Sequence, residues 1–266
     1  MWINELCGSP KTVVGMVHLD ALPGMVRHDA GAGLEGVIAH AGADYENLVA
    51  GGVDAVIFCN ENDKPYSKRV DHNVTAAMTL VISRVVGERP AIPFGVDIQW
   101  DAKAAVAVAG ATGASFVRGI ICGTFCGDLG LFTPDTEEIL RFRSAIGAER
   151  VKLLTNLCPE FSCSLDKRPL ELVAKTTVKS ALADGLCVSG VMAGTSARYD
   201  DLLKVRQAVP EVPVFANTGV TPDNVREILS IADACVVATC LKVDQQPFNR
   251  IDRANVEAFM RRAKAE

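Results

Sequence analysis

Eight short apolar runs, each followed by a stretch with helical spacing, divide this chain from end to end. The runs fall at residues 13–18, 53–58, 93–98, 115–121, 150–155, 186–192, 212–216 and 234–238. They are almost continuously apolar, as strands are when both faces of their sheet are covered. The spacers 33–50, 71–86, 101–111, 133–146, 169–183, 200–208, 221–230 and 256–264 read as helices. Their ends carry local signals. Gly51-Gly52 and Gly87 stop two helices, Asp101 caps a third, and Thr133-Pro134-Asp135 opens a fourth. Strict alternation of strand and helix demands parallel strands. Eight units in 266 residues leave no spare segment. The expected architecture is therefore one (β/α)8 TIM barrel over residues 1–266. A doubly wound open sheet fits less well, because the first strand is followed by Leu22-Pro23-Gly24 and not by G-x-G-x-x-G.

Composition narrows the function. A hydrophobic content of 49% suffices for a large core, and no run of 18 apolar residues could span a bilayer, so no transmembrane segment is expected. The net charge is −5 with no basic run, so nucleic acid is not an expected partner. The start, Met1-Trp-Ile-Asn-Glu-Leu-Cys7, lacks the features of an export signal. Nine cysteines are then expected as reduced thiols in a cytoplasmic protein. Barrels of this kind often pair through helices or loops, so a homo-oligomer is compatible with the chain.

In such barrels the carboxyl ends of the strands carry the site, with phosphate held after strands 7 and 8. Strand 7 ends in Asn217-Thr218-Gly219 and strand 8 in Thr239. Small hydroxyl and glycine residues there can aim backbone N–H groups at one anion. Gly190, Gly194 and Thr195 after strand 6 extend this candidate phosphate cup. Lys242 reads either as added positive charge or as an exposed loop lysine.

Acid–base candidates stand at other strand ends. Asp97 closes strand 3 and could act as a general base or pair with Arg118 or Lys152. His18 closes strand 1. Lys152, early in strand 5, is either a catalytic lysine or half of a barrel ion pair. Glu61 and Asp63 read as a solvated acidic turn, the alternative being oxygen ligands for a divalent metal. The loops after strands 4 and 5 are long enough for lids. They carry Cys122, Cys126, Cys158 and Cys163, whose C-x3-C and C-x4-C spacings lie near zinc spacing without matching C-x2-C pairs. No metal or other cofactor is expected, with zinc at these four cysteines as the alternative.

Several segments resemble the BtpA/SgcQ family. These are Val14-Gly-Met-Val-His-Leu19 with Leu22-Pro-Gly24, Gly51-Gly-Val-Asp-Ala55, and Lys68-Arg-Val70 with Ala76-Ala-Met-Thr79. Further on come Arg168-Pro-Leu170, Leu182-Ala-Asp184, Val188-Ser-Gly190, Val209-Pro-Glu-Val-Pro-Val214, Gly219-Val-Thr-Pro222 and Leu241-Lys242. The resemblance implies a barrel of the ribulose-phosphate-binding type. One branch of that family is linked to photosystem I biogenesis as a peripheral membrane component, and another lies among genes of sugar uptake and metabolism. This chain departs at Asn217 and Ala238, where the family carries a small residue and Gly, and at the ends of strands 4 and 5. The reading that follows is an enzyme, a lyase, aldolase-like enzyme or isomerase, acting on a small phosphorylated sugar or related ester. The alternatives are a non-catalytic biogenesis factor associated with a membrane complex and a nucleotide- or nucleoside-processing enzyme.

Overall fold

The computed structural model describes residues 1–190 and 197–265. The eight apolar runs form a closed parallel barrel. Its strands are β1 (Thr12–His18), β2 (Ala55–Cys59), β3 (Phe94–Asp97), β4 (Phe116–Gly119), β7 (Lys152–Asn156), β9 (Gly185–Ser189), β10 (Val214–Asn217) and β11 (Ala234–Val237), with β11 pairing back onto β1. The helices wrap the outside. They are α2 (Gly33–Gly51), α3 (His72–Val86), α4 (Ala102–Thr112), α5 (Thr136–Ala145), α6 (Leu170–Ser180), α7 (Tyr199–Ala208), α8 (Val225–Ile231) and α9 (Arg253–Ala263). Among the described residues no helix is long and apolar enough to cross a membrane.

Strand parity divides the side chains into two layers. Outward residues such as Val17, Phe58, Val96, Val117, Leu153 and Val214 join the helices in the larger core. Inward residues such as Met16, Ile57, Phe116, Leu154, Cys187 and Phe215 fill the barrel. The fit is close where Phe116 lies against β3. A side chain at Gly95 would come within 2.3 Å of the Phe116 ring, so glycine is required there.

Two features were not legible as elements in the sequence. A short helix α1 (Trp2–Cys7) closes the bottom of the barrel, with Ile3 fully buried and the Trp2 indole donating to the Asp184 carbonyl at 2.8 Å. The long segments after β4 and β7, expected as loops, pair with each other. They contribute β5 (Phe125–Gly127), β6 (Gly130–Phe132) and β8 (Ser162–Ser164), an antiparallel sheet in the order β6-β5-β8. Strands of three residues are too short to show a period, and their pairing joins distant segments, with Cys126 opposite Cys163, 37 positions on. This sheet caps one side of the mouth. Ile120, Phe125 and Phe132 bury together under it, and Trp100 packs edge-on to Phe132 at 5.1 Å.

Candidate functional site

A cavity of about 280 Å³ opens at the carboxyl ends of the strands. It is lined from β1 by His18, from β3 by Asp97, from β4 by Arg118, from β7 by Asn156 and from β10 by Asn217. Register explains the grouping. His18 lies beside Cys59, Cys59 beside Asp97, and Asn217 beside Ser189, so the last inward positions of the strands other than β11, where Val236 stands, form one polar ring.

One network ties most of that ring together. The Arg118 guanidinium donates to Asp97 through Nε at 2.8 Å and through Nη2. Its Nη1 donates to Asn217 Oδ1 at 2.6 Å. Asn217 Nδ2 in turn donates to Glu160 Oε1 at 3.1 Å and to Ser189 Oγ at 2.8 Å. Asn156 Nδ2 reaches the other Glu160 oxygen at 3.2 Å. Burial works against the Arg118 charge, and the adjacent Asp97 carboxylate outweighs it, raising the guanidinium pKa further. Asp97 is thus the fixed counter-ion of Arg118. Burial pushes the Glu160 carboxyl above its ordinary value, with Arg118 opposing. A carboxyl so tuned can exchange a proton nearer neutrality.

A second group faces it. Glu61 accepts from Gln99 Nε2 at 3.0 Å and pairs with Lys64 at 2.9 Å. The turn after β2 is therefore not the solvated acidic turn expected. Glu61 lines the cavity, and Asp63 is buried, accepting from the Leu22 backbone N–H at 2.8 Å and from Asn60 at 3.1 Å. Each acid is held by its own partners, Glu61 by the Gln99 and Lys64 side chains and Asp63 by the Leu22 backbone N–H and Asn60, so neither is left unpaired away from water.

The opposite wall is made by Thr218, Gly219, Val220 and Thr239. Thr218 and Gly219 are both left-handed, at φ 70° and 63°. A threonine there is strained, since its branched Cβ crowds the backbone. The Gly190 backbone N–H donates to Thr218 Oγ1 at 3.3 Å, so Gly190 supports this turn from behind. The Cys240 thiol donates to the Val220 carbonyl at 3.4 Å and joins the two strand ends. Asn217 lies here too, but its side chain is fully buried and committed to Arg118, Glu160 and Ser189 rather than offered to a ligand.

Other candidates are not brought to this cavity. Lys152 sits at the amino end of β7, on the opposite rim, where Nζ pairs with Asp184 at 3.0 Å. It is the ion-pair reading of that residue. The four loop cysteines do not converge. Cys126 and Cys163 are exposed cross-strand partners, while Cys122 contacts Thr177 on α6 at 3.7 Å. Among the described residues no group of three His, Cys, Asp or Glu side chains is arranged to hold a metal. Gly194 and Thr195 lie outside the described residues.

Two important side chains had little or no sequence signal. Glu160 stands in an irregular segment, and only the pairing of β8 with β5 folds it over the mouth. Lys242 is not an exposed loop lysine. It is 2% exposed and contacts His18 Nδ1 at 3.1 Å.

A closed eight-stranded parallel barrel with a polar ring at its carboxyl mouth defines the TIM-barrel class. A solved structure of N-(5'-phosphoribosyl)anthranilate isomerase from Pyrococcus furiosus matches this fold with a TM-score of 0.55 at 15% identity, covering 96% of this chain and all of that one. Within the class, the sequence model of the BtpA family matches residues 9–265, and the chain belongs to that family. It is 43% identical over 259 residues to the sgc region protein SgcQ of Escherichia coli (strain K12), covering 97% of this chain and 96% of SgcQ. It is 34% identical over 251 residues to the photosystem I biogenesis protein BtpA of Synechocystis sp., covering 93% of this chain and 86% of BtpA.

Proposed function

We propose that this protein is an enzyme that binds a small phosphorylated sugar or related phosphate ester and performs proton-transfer chemistry on it, as an isomerase or aldolase-like lyase. The observation that carries this reading is the polarity of one cavity. One wall presents the left-handed Thr218–Gly219 turn and Thr239, where barrels of this class hold phosphate. The other presents His18, Glu61, Asp97, Arg118 and Glu160. Backbone strain supports it. Six non-glycine residues among those described have positive φ, and four of them, Trp100, Phe161, Thr218 and Gln245, line the cavity. Strain of this kind persists where the surroundings enforce it and gathers at ligand sites.

The roles follow from the chemistry of each group. Thr218, Gly219 and Thr239 hold the phosphate, and its binding energy positions the remote reacting end. Gly194 and Thr195 stay candidates for the same cup on sequence grounds. Arg118, locked by Asp97, offers a fixed positive charge to a developing oxyanion. Glu160, whose carboxyl burial raises, is the group best suited to take and return a proton. His18 donates a hydrogen bond to the reacting oxygen.

A thermal-shift screen with sugar phosphates, followed by a crystal soaked with the best ester, tests the binding claim. Stabilisation by at least one ester and an anion at Gly219 are expected. A panel that leaves the melting temperature unmoved, with no anion at Gly219, rejects it. Asp97→Asn, which uncouples Arg118 from its counter-charge, should abolish turnover of the identified substrate while phosphate still binds. Unchanged kinetics would clear Asp97 of any part in the chemistry.

A further inference from the structure

We infer that Lys242 is a positioning residue that holds His18 as the Nε2–H tautomer, so that a neutral imidazole presents a hydrogen-bond donor to the ligand. The inference rests on the reading of the cavity given above. Lys242 does not line the cavity; it stands behind His18, almost wholly buried. Its main chain is fixed on three sides. The Lys242 N–H donates to the Thr239 carbonyl at 3.1 Å, its own carbonyl accepts from Asn255 Nδ2 at 2.9 Å, and it bridges to Ile251. Its ammonium donates to the Pro247 carbonyl and lies 3.1 Å from His18 Nδ1.

An ammonium has three donors and no lone pair. Contact with Nδ1 therefore requires that nitrogen to be the acceptor, and the proton of a neutral imidazole then resides on Nε2. The charges around His18 act in the same sense. Lys242, Arg118 and Lys64 oppose an imidazolium, and Glu61 alone among the facing groups favours it. Burial, the largest influence, and these cations push the His18 pKa down to about 3. Burial likewise pulls Lys242 down to about 8, with Asp44 and Glu61 opposing, so it remains mainly an ammonium at neutral pH. A neutral imidazole is a useful electrophile. It polarises a carbonyl without surrendering a full proton, and its own weak acidity matches that of an enediol.

The chain has four histidines, which makes the tautomer directly readable. Long-range nitrogen–proton NMR spectra of the ligand-free, histidine-labelled protein would report it, with His18→Gln identifying the resonances. The wild type should show Nε2 protonated, Nδ1 unprotonated, and no titration between pH 5 and 8. Lys242→Arg keeps a cationic donor and should keep that pattern. Lys242→Met should mix the tautomers and bring the His18 titration back towards the ordinary range. A proton on Nδ1 in the wild type would overturn the inference, as would an unaltered tautomer in Lys242→Met. If Lys242→Met does not fold, the wild-type and Lys242→Arg spectra still decide. Because no ligand is present, these results are independent of whether any phosphate ester binds.

Discussion

The two sides of the barrel mouth are built differently. At β10 and β11 the strand ends go straight into tight turns, Thr218–Gly219 after one and the 3-10 turn Thr239–Leu241 after the other, Cys240 ties the two turns together, and the wall they make is of small residues. At β4 and β7 the chain makes two long excursions that meet as the β6-β5-β8 sheet and swing Glu160 and Phe161 over the opening. The contrast separates two tasks. A rigid, economical turn suits an anchor common to many ligands, while a cap made by mutual pairing of loops can be rebuilt to select the reacting part of a substrate without disturbing the barrel.

Arg118 is the hub between the sides, reaching Asp97 in one direction and Asn217 in the other. Arg118→Leu should therefore have the largest effect. It leaves the buried Asp97 carboxylate without its partner, which costs about 3–5 kcal/mol, read by denaturant unfolding. A cost below about 1 kcal/mol would mean that the two sides are not coupled through this residue.

Glu160 tests the cap. Its folded pKa is raised, so the folded state holds that proton more tightly than the unfolded chain. Its contribution to stability is present below the ordinary glutamate value of 4.5 and is lost as pH rises through the folded value. Glu160→Gln should remove that segment of the stability–pH curve, whose slope is at most about 1.4 kcal/mol per pH unit. A curve superimposable on the wild type would place Glu160 in solvent and undo the distinction between anchor and cap.

Thr218 tests the anchor and should move stability least. Thr218→Gly relieves a left-handed threonine, worth about 1–2 kcal/mol. It also loses the bond from the Gly190 N–H, worth about 1 kcal/mol. Net stability should stay within about 1 kcal/mol of wild type. Phosphate binding, read by calorimetry, should weaken. Unchanged phosphate affinity would show that the strain at Thr218 serves some other end.

The barrel itself was written locally. Each apolar run and each capped helix is specified by residues within a few positions of one another, and parity along β3 and β10 already sends Asp97 and Asn217 inward. The same local rule placed Lys152 early in its strand and could not say that its partner there is Asp184, 32 positions on. It read Asn217 as a phosphate residue, because its partners Arg118 and Glu160 are 99 and 57 positions away. It left Lys242 open, because His18, which its ammonium contacts, is 224 positions distant. Strand and helix follow from short-range periodicity, which a chain displays in its own order. The pairing of two loops and the partners of a buried charge depend on closure of the barrel, which brings together residues no period connects. The sequence alone determined the scaffold and the Thr218–Gly219 turn; the tertiary structure decided which polar groups meet above it.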